Sequence, residues 1–141
     1  MIVAKSEPGA ATAPTVLVIE DDAEVRDITC EGLSLTGFHV IAAVDGEQGV
    51  AKLIRHRSKI RCILLDLGMP RMSGVEIFRQ LRATAPEVPI LLTSGARRST
   101  LYPEMREESA RFIAKPYRLS DLVKTLRELL SEHEASSDAL S

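Results

Sequence analysis

The chain has 141 residues, of which 45% are hydrophobic and 27% are charged. This length and composition are typical of one soluble globular domain, and they exclude collagen-like, disordered and disulfide-scaffold proteins. Eighteen Lys and Arg residues stand against twenty Asp and Glu residues, a net charge of −2, so the basic excess expected of a nucleic-acid-binding domain is lacking.

Two further properties of the sequence predict a cytoplasmic protein with no membrane contact of its own. The N-terminal segment lacks the apolar stretch of a signal peptide, and no run approaches the ~18 consecutive apolar residues of a membrane span. Cys30 and Cys62 have neither a CxxC spacing nor ligand-like neighbours, which favours two free thiols in a reducing compartment.

The first half of the chain contains two short apolar runs, at residues 16–19 and 40–43, and each is followed by a segment of helical period. This alternation predicts two strand–helix units. Asp45 stands just before the second helical segment and is a candidate N-cap. The positions predicted to face the core are Val25, Ile28, Thr29 and Leu33 in the first helix and Val50, Leu53 and Ile54 in the second.

The second half of the chain continues the pattern, with apolar runs at residues 63–65, 90–92 and 112–114 and a helical segment at 74–83. Between the fourth and fifth runs, an interior proline would cost a helix ~3 kcal/mol, so a helix there is predicted to start or break at Pro103. In the last helix the inward positions are Leu122, Val123, Leu126, Leu129 and Leu130.

Five strand–helix units predict a parallel sheet with helices on both faces, because parallel strands need crossover connections. The second strand is predicted to begin at His39, and the fifth run is flanked by Arg111 and Lys115, whereas the other three runs are almost continuously apolar and predict central strands. The predicted fold class is a doubly wound, flavodoxin-like α/β domain with strand order 2-1-3-4-5. The predicted ranges are 1–14 for a flexible N-terminal tail, 15–134 for the domain and 135–141 for a flexible C-terminal tail.

Polar side chains follow four of the predicted strands, at the sheet edge where ligands of such folds bind. Clustered carboxylates repel one another unless a cation intervenes, and Mg²⁺ suits a rim of carboxylate oxygens. A carboxylate beside Mg²⁺, an ammonium and a hydroxyl can accept a phosphoryl group, because all three stabilise the developing charge. The residues are Glu20, Asp21 and Asp22 after the first strand, Asp66 after the third as the candidate nucleophile, Thr93 and Ser94 after the fourth, and Lys115 after the fifth.

Four segments make the sequence resemble response-regulator receiver domains, the phosphoacceptor modules of two-component signalling. They are VLVIEDD at residues 16–22, LLDLGMP at 64–70, PILLTSG at 89–95 and FIAKPY at 112–117. The resemblance implies Mg²⁺ as the cofactor. Position by position it implies that Glu20, Asp21, Asp66 and the backbone carbonyl of Gly68 hold the metal, that Asp66 is phosphorylated, that Lys115 and Ser94 contact the phosphoryl group, and that Ser94 and Phe112 form a switch.

The resemblance also implies a role in phosphorelay signalling rather than turnover of a separate substrate. A histidine kinase or histidine phosphotransfer protein would donate the phosphoryl group, and the protein would catalyse only its own Mg²⁺-dependent phosphorylation and dephosphorylation. A downstream protein would bind the switched surface, with no direct nucleic-acid or membrane partner, and a phosphorylation-dependent homodimer stays open. The donor histidine is expected on the partner, because His39, His56 and His133 fall away from the predicted rim.

Several positions add detail to the resemblance. Glu20 is the longer acid where the family pair is often Asp-Asp, and it is expected to act through water or a shifted metal position. The family has a cis peptide bond where Lys115 precedes Pro116. Gly68 and Ala96 flank the approach of water to the phosphoryl group, and neither can shield it. After Lys115 the pattern predicts only one helix and a tail, so output through another molecule is expected.

Other functional classes remain as alternatives. A receiver fragment of a hybrid sensor kinase would share the same chemistry, and a phosphorylation-independent protein-binding module would take up no phosphoryl group. A flavodoxin-like cofactor binder is disfavoured, because the acids after the first strand repel phosphate. An aspartate-nucleophile phosphatase would carry its nucleophile after the first strand rather than at Asp66.

Overall fold

The computed structural model describes most of the chain in four stretches, residues 13–69, 73–95, 103–106 and 110–140, with the side chains of residues 104 and 135–140 excepted. In these stretches the chain forms five β-strands, four α-helices and a short 3-10 helix. The strands are β1 (Thr15–Ile19), β2 (His39–Ala43), β3 (Ile60–Asp66), β4 (Ile90–Ser94) and β5 (Ala110–Ala114). The helices are α1 (Ala23–Leu35), α2 (Gly46–Arg55), α3 (Gly74–Thr84) and α4 (Leu119–Leu140), and the 3-10 helix is Pro103–Arg106.

The five strands form one parallel sheet in the order β2-β1-β3-β4-β5. This order confirms the predicted doubly wound arrangement, with the two less apolar strands at the edges. Because every strand runs in the same direction, the carboxyl ends of β1, β3, β4 and β5 lie along one edge. The register places Asp66 of β3 opposite Thr93 of β4, and Ser94 opposite Ala114 of β5.

Alternate side chains of the central strands enter two hydrophobic cores, one on each face of the sheet. Leu17 and Ile19 of β1 pack in the core covered by α2 and α3. Val16 and Val18 pack in the core covered by α1 and α4. Burial on both faces explains why the central strands are continuously apolar in sequence. The prediction for the last helix is confirmed, with Leu122, Leu126, Leu129 and Leu130 buried and Val123 half-buried.

Two predicted core positions are wrong, because Ile28 in α1 is 66% exposed and Ile54 in α2 is 61% exposed. A buried glycine lies on the packed face of each helix. A Cβ atom on Gly32 would lie 2.7 Å from Leu119 Cδ1, and one on Gly49 would lie 2.5 Å from a side chain of β1. Glycine thus occupies a closely packed position in each helix, which a pattern of apolar residues does not record.

The last helix continues through residues 135–140, where a flexible tail was predicted. Residues 119–141 contain neither Gly nor Pro, and the Ala and Leu residues near the end are strong helix formers, so nothing in the sequence stops the helix. Of the predicted N-terminal tail, residues 1–12 lie outside the described residues. In the described part of the chain no helix, α4 included, combines the length and apolar composition that crossing a membrane requires.

The connection between β4 and β5 contains a 3-10 helix that begins at Pro103. This agrees with the prediction that a helix in this segment starts or breaks at the proline, since the fixed φ of proline suits a first helical position. The neighbouring residues 96–102 and 107–109 lie outside the described residues.

Both cysteines are free, as predicted, but their surroundings differ. Cys62 lies fully buried in the core beneath α1 and α4, and burial raises its pKa to about 12. Cys30 in α1 is half-buried, and burial raises its pKa as well. Because thiolates rather than thiols react, we expect a thiol reagent at neutral pH to modify Cys30 slowly and to reach Cys62 only when the protein unfolds.

The pKa of Cys62 also predicts a pH dependence of stability. The folded pKa of about 12 exceeds the ordinary value of 9.0, so the folded state keeps the thiol proton longer than the unfolded state does. This contribution is fully present below pH 9 and is lost as the pH rises toward 12, at about 1.4 kcal/mol per pH unit. The free energy of unfolding in urea, measured from about pH 8 to about pH 11, should therefore fall more in wild type than in Cys62→Val. Parallel plots of this free energy against pH would contradict the raised pKa of Cys62.

Candidate functional site

Three carboxyl groups meet at the carboxyl edge of the sheet. Glu20 and Asp21 follow β1 and Asp66 ends β3, and one oxygen of each lies within 4.8 Å of the other two. Glu20 and Asp66 are 4% and 5% exposed, whereas Asp21 is exposed. Because β1 and β3 are hydrogen-bonded neighbours, the sheet itself holds these acids together, as the sequence predicted.

The side chain of Lys115 reaches into this acidic cluster from the end of β5. Its Nζ atom lies 3.0 Å from Glu20 Oε1 and 3.3 Å from Asp66 Oδ2. The backbone N–H of Lys115 donates to the carbonyl of Ser94 at 2.9 Å, which joins the ends of β4 and β5. The peptide bond between Lys115 and Pro116 is cis, as the resemblance implied.

Backbone N–H groups orient the two buried carboxylates. Gly68 N–H donates to Asp66 Oδ1 at 2.9 Å, and Asp22 N–H donates to Glu20 Oε2 at 3.3 Å. The guanidinium of Arg26 donates a hydrogen bond to the backbone carbonyl of Glu20 at 2.9 Å, which stabilises the turn between β1 and α1. Both acids are therefore held by short loops that directly follow their strands.

The environment of the cluster raises the pKa of two of its groups. Burial, together with a hydrogen bond to Asp66, raises the pKa of Glu20 to about 7, although the hydrogen bond from Lys115 acts in the opposite direction. Burial lowers the pKa of Lys115, but its hydrogen bond to Glu20 and the charge of Asp66 outweigh that effect, so the pKa is raised. Lys115 is thus a charged ammonium at neutral pH, and one cation faces three carboxyl groups.

The third acid after β1 has a different role from its neighbours. The side chain of Asp22 accepts a hydrogen bond from Val25 N–H at 3.0 Å and caps the N-terminus of α1. Asp45 caps α2 in the same way, as predicted, by accepting from Gln48 N–H at 2.8 Å. The sequence grouped Asp22 with the other rim acids, and the structure assigns it to helix capping.

The donor set of the cluster fits a hard divalent cation. Glu20, Asp21 and Asp66 all offer carboxylate oxygens, the ligands that Mg²⁺ takes together with water and phosphate oxygens. The imidazole and thiolate ligands typical of zinc sites are not part of this cluster. The backbone carbonyl of Gly68 stays a predicted ligand.

The two predicted switch residues lie on neighbouring strands, Ser94 on the central strand β4 and Phe112 on the edge strand β5. Ser94 ends β4 and is 8% exposed, and Phe112 in β5 is half-buried against the core beneath α2 and α3. Phe112 pairs with Leu92, and Ala114 pairs with Ser94. Because side chains two residues apart in a strand point to the same face, Ser94 and Phe112 share one face of the sheet.

Sequence reasoning missed a second group of polar side chains beside the acids. Thr29 of α1 and Tyr117 after β5 line a narrow gap together with Glu20, Asp66 and Thr93. Thr29 was assigned only to the helix core and Tyr117 only to a motif. The signal that could have revealed this group is the presence of polar side chains at positions predicted to be buried.

A match to a known protein family covers the residues that build this site. A family model of the response regulator receiver domain matches residues 16–127. The chain belongs to the response regulator receiver domain family. In this receiver domain the matched range includes every predicted site residue, from Glu20 to Lys115.

The curated relatives of this receiver domain include mycobacterial regulators. It is 33% identical over 127 residues to the response regulator MprA of Mycobacterium avium (strain 104), covering 89% of this chain and 55% of that relative. It is 32% identical over 133 residues to the transcriptional regulatory protein PrrA of Mycobacterium tuberculosis (strain ATCC 25618 / H37Rv), covering 92% of this chain and 55% of that relative. The chain therefore spans about half the length of the curated relatives it matches.

Solved structures share the fold of this receiver domain. A CheY-like receiver domain protein from Methanospirillum hungatei JF-1 has a TM-score of 0.77 at 25% identity, covering 87% of this chain and 98% of that chain. The receiver domain of the hybrid histidine kinase CckA has a TM-score of 0.70 at 23% identity, covering 82% of this chain and 98% of that chain. The predicted receiver fold is confirmed.

Proposed function

We propose that this receiver domain accepts a phosphoryl group on Asp66 from a phosphohistidine of a partner protein. The observation that carries the proposal is the environment of the Asp66 carboxylate, which is buried, lies 3.3 Å from Lys115 Nζ, and shares an oxygen cluster with Glu20 and Asp21. A carboxylate nucleophile next to an ammonium and a cation site is suited to phosphoryl transfer, because both positive charges stabilise the transition state.

In the proposed reaction a carboxylate oxygen of Asp66 attacks phosphorus in line with the phosphorus–nitrogen bond of the donor. The phosphorus–oxygen bond forms as the phosphorus–nitrogen bond breaks, and the electron pair of the broken bond returns to the histidine ring of the partner. Mg²⁺ held by Glu20, Asp21, Asp66 and the carbonyl of Gly68 would supply positive charge to the phosphoryl oxygens. The N–H of Gly68 orients Asp66, and Lys115 provides a second positive charge.

The phosphorylated state is proposed to act through a two-state switch. Ser94 moves toward the phosphoryl group, and the space it leaves allows Phe112 to turn inward from its half-buried position. Their common face of the sheet supports this coupling. The surface around β5 then differs between the two states, and a downstream protein that binds one form better shifts the equilibrium.

The partners follow from this chemistry. A histidine kinase or histidine phosphotransfer protein supplies the phosphoryl group in the cytoplasm, and a downstream protein binds the switched surface. The domain itself catalyses only its own Mg²⁺-dependent phosphorylation and dephosphorylation, and it makes no direct contact with nucleic acid or membrane. A phosphorylation-dependent homodimer is one form that the output can take.

Incubation with acetyl phosphate and Mg²⁺, followed by intact-mass measurement, tests the proposal. We expect the mass of one phosphoryl group to be added when Mg²⁺ is present and not when a chelator replaces it. Peptide mapping should place the group on the segment that contains Asp66. No uptake, or uptake on another residue, would contradict the proposal.

Lys115→Ala and Ser94→Ala are expected to retain some phosphorylation but to weaken the structural response. Neither side chain forms the new bond, and both contact the phosphoryl group once it is in place. Amide NMR spectra before and after phosphorylation measure the response. A full wild-type spectral change in phosphorylated Ser94→Ala would contradict the switch role.

Gly68→Arg is expected to slow hydrolysis of the phosphorylated form. Among the described glycines only Gly37 has a positive φ, of 101°, so the backbone at Gly68 can carry a side chain. A Cβ atom on Gly68 would lie 3.4 Å from Asp66 Oδ1, which places a longer side chain over the approach of water. The measurement is the rate at which the phosphorylated form decays at saturating Mg²⁺. A rate in Gly68→Arg that equals or exceeds the wild-type rate would contradict the prediction that Gly68 leaves the phosphoryl group open to water. The second predicted flanking residue, Ala96, lies outside the described residues.

A further inference from the structure

The hydroxyl group of Thr93 is buried without a hydrogen-bond partner next to the acidic cluster. Thr93 is 1% exposed, and its Oγ1 atom has no partner among the described residues. It stands opposite Asp66 in the register of β3 and β4. An unpaired buried hydroxyl is unfavourable, whereas valine has nearly the same shape and no polar atom to satisfy.

The space around this hydroxyl is too narrow to admit a water molecule. Thr93 lines a closed gap together with Thr29, Tyr117, Glu20 and Asp66. Within it the Tyr117 hydroxyl is already hydrogen-bonded to Thr29. The remaining polar groups that line the gap are the carboxyl groups of the site.

Each oxygen of those two carboxyl groups already has a partner. Asp66 Oδ1 accepts from Gly68 N–H, and Asp66 Oδ2 lies 3.3 Å from Lys115 Nζ. Glu20 Oε1 accepts from Lys115 Nζ, and Glu20 Oε2 accepts from Asp22 N–H. None of these four oxygens accepts a hydrogen bond from Thr93, although a carboxylate oxygen can accept more than one.

We infer that Thr93 is a positioning residue of the phosphorylation site, whose hydroxyl donates a hydrogen bond to Glu20 or Asp66 when a divalent cation occupies the acidic cluster. The inference rests on the proposed function. A cation that takes oxygens of both acids competes with Lys115 for them and changes their positions, so that one of them accepts from Thr93. A hydrogen bond made in only one of two states stabilises that state, so Thr93 favours the cation-bound site.

The test compares Thr93→Val and Thr93→Ser with wild type by Mg²⁺ calorimetry and by thermal unfolding in chelator. We expect Thr93→Val to unfold at a higher temperature than wild type in chelator, because the unpaired hydroxyl is gone. Its Mg²⁺ affinity is expected to fall about tenfold, the effect of one hydrogen bond. Thr93→Ser keeps the hydroxyl, so its affinity should stay within about threefold of wild type.

Tyr117→Phe is the matched control, because it removes a hydroxyl from the same gap that already has Thr29 as its partner. This variant should lose stability in chelator and keep the wild-type Mg²⁺ affinity.

If the wild-type protein binds Mg²⁺, three results would overturn the role of Thr93 without affecting the proposed function. They are unchanged affinity in Thr93→Val, an equal loss in Thr93→Ser and Thr93→Val, and a lower unfolding temperature of Thr93→Val in chelator. A wild-type protein that neither binds Mg²⁺ nor takes up a phosphoryl group would overturn the proposed function and this inference with it.

Discussion

Asp66→Asn is expected to abolish phosphoryl uptake from acetyl phosphate while the fold stays intact. The amide has nearly the shape of the carboxylate, and its oxygen can still accept from Gly68 N–H, but it has no anionic oxygen to attack phosphorus. Lys115 keeps Glu20 as an ion-pair partner, and the repulsion between Asp66 and Glu20 disappears, so unfolding should change little. Intact mass after incubation measures the uptake, and circular dichroism with thermal unfolding checks the fold.

Asp45→Asn is the matched control for that experiment. Asp45 is also an aspartate, but it caps α2 rather than belonging to the acidic cluster. Its variant should be phosphorylated as wild type is. Uptake by Asp66→Asn at the wild-type level would refute the assignment of the nucleophile, and weak residual uptake that maps to Glu20 or Asp21 would show that a neighbouring acid can substitute.

Asp21→Ala is expected to weaken Mg²⁺ binding at least about tenfold, since removing even an outer partner of a metal site costs about 10- to 100-fold in affinity. Asp21 is the exposed member of the cluster, and its oxygen lies within 4.8 Å of ligand oxygens of Glu20 and Asp66. Because the side chain is exposed, its loss leaves no cavity, so the fold should be preserved. Calorimetric titration with Mg²⁺ measures the change.

Asp22→Ala provides the control for charge. It removes one negative charge at the adjacent position, but Asp22 caps α1 and is not one of the clustered ligands. We expect this variant to lose about 1 kcal/mol of stability, the usual effect of an N-cap, and to bind Mg²⁺ nearly as wild type does. Equal losses of affinity in both variants would indicate general electrostatic attraction instead of direct ligation.

The sheet was predictable because strands that are buried on both faces appear in the sequence as runs of apolar residues. Strands β1, β3 and β4 lie between two cores and are almost continuously apolar, whereas the edge strands β2 and β5 contain His39 and Arg111, and Lys115 follows β5. The helix faces were less predictable. Ile28 and Ile54 occur at helical spacing with core residues, yet both are exposed, whereas Gly32 and Gly49 are buried in close contacts.

The sequence by itself determined the family, the order of the strands and the residue types at the rim, because short motifs and apolar runs are local properties of the chain. Tertiary structure alone decided the partner of each polar group. Lys115 contacts Glu20 across 95 positions of sequence, Asp22 caps a helix while Asp21 joins the cluster, and the Thr93 hydroxyl has no hydrogen-bond partner among the described residues. Hydrogen bonds depend on distances of a few ångströms between groups far apart in sequence, and these distances are set only when the sheet register and helix packing are complete.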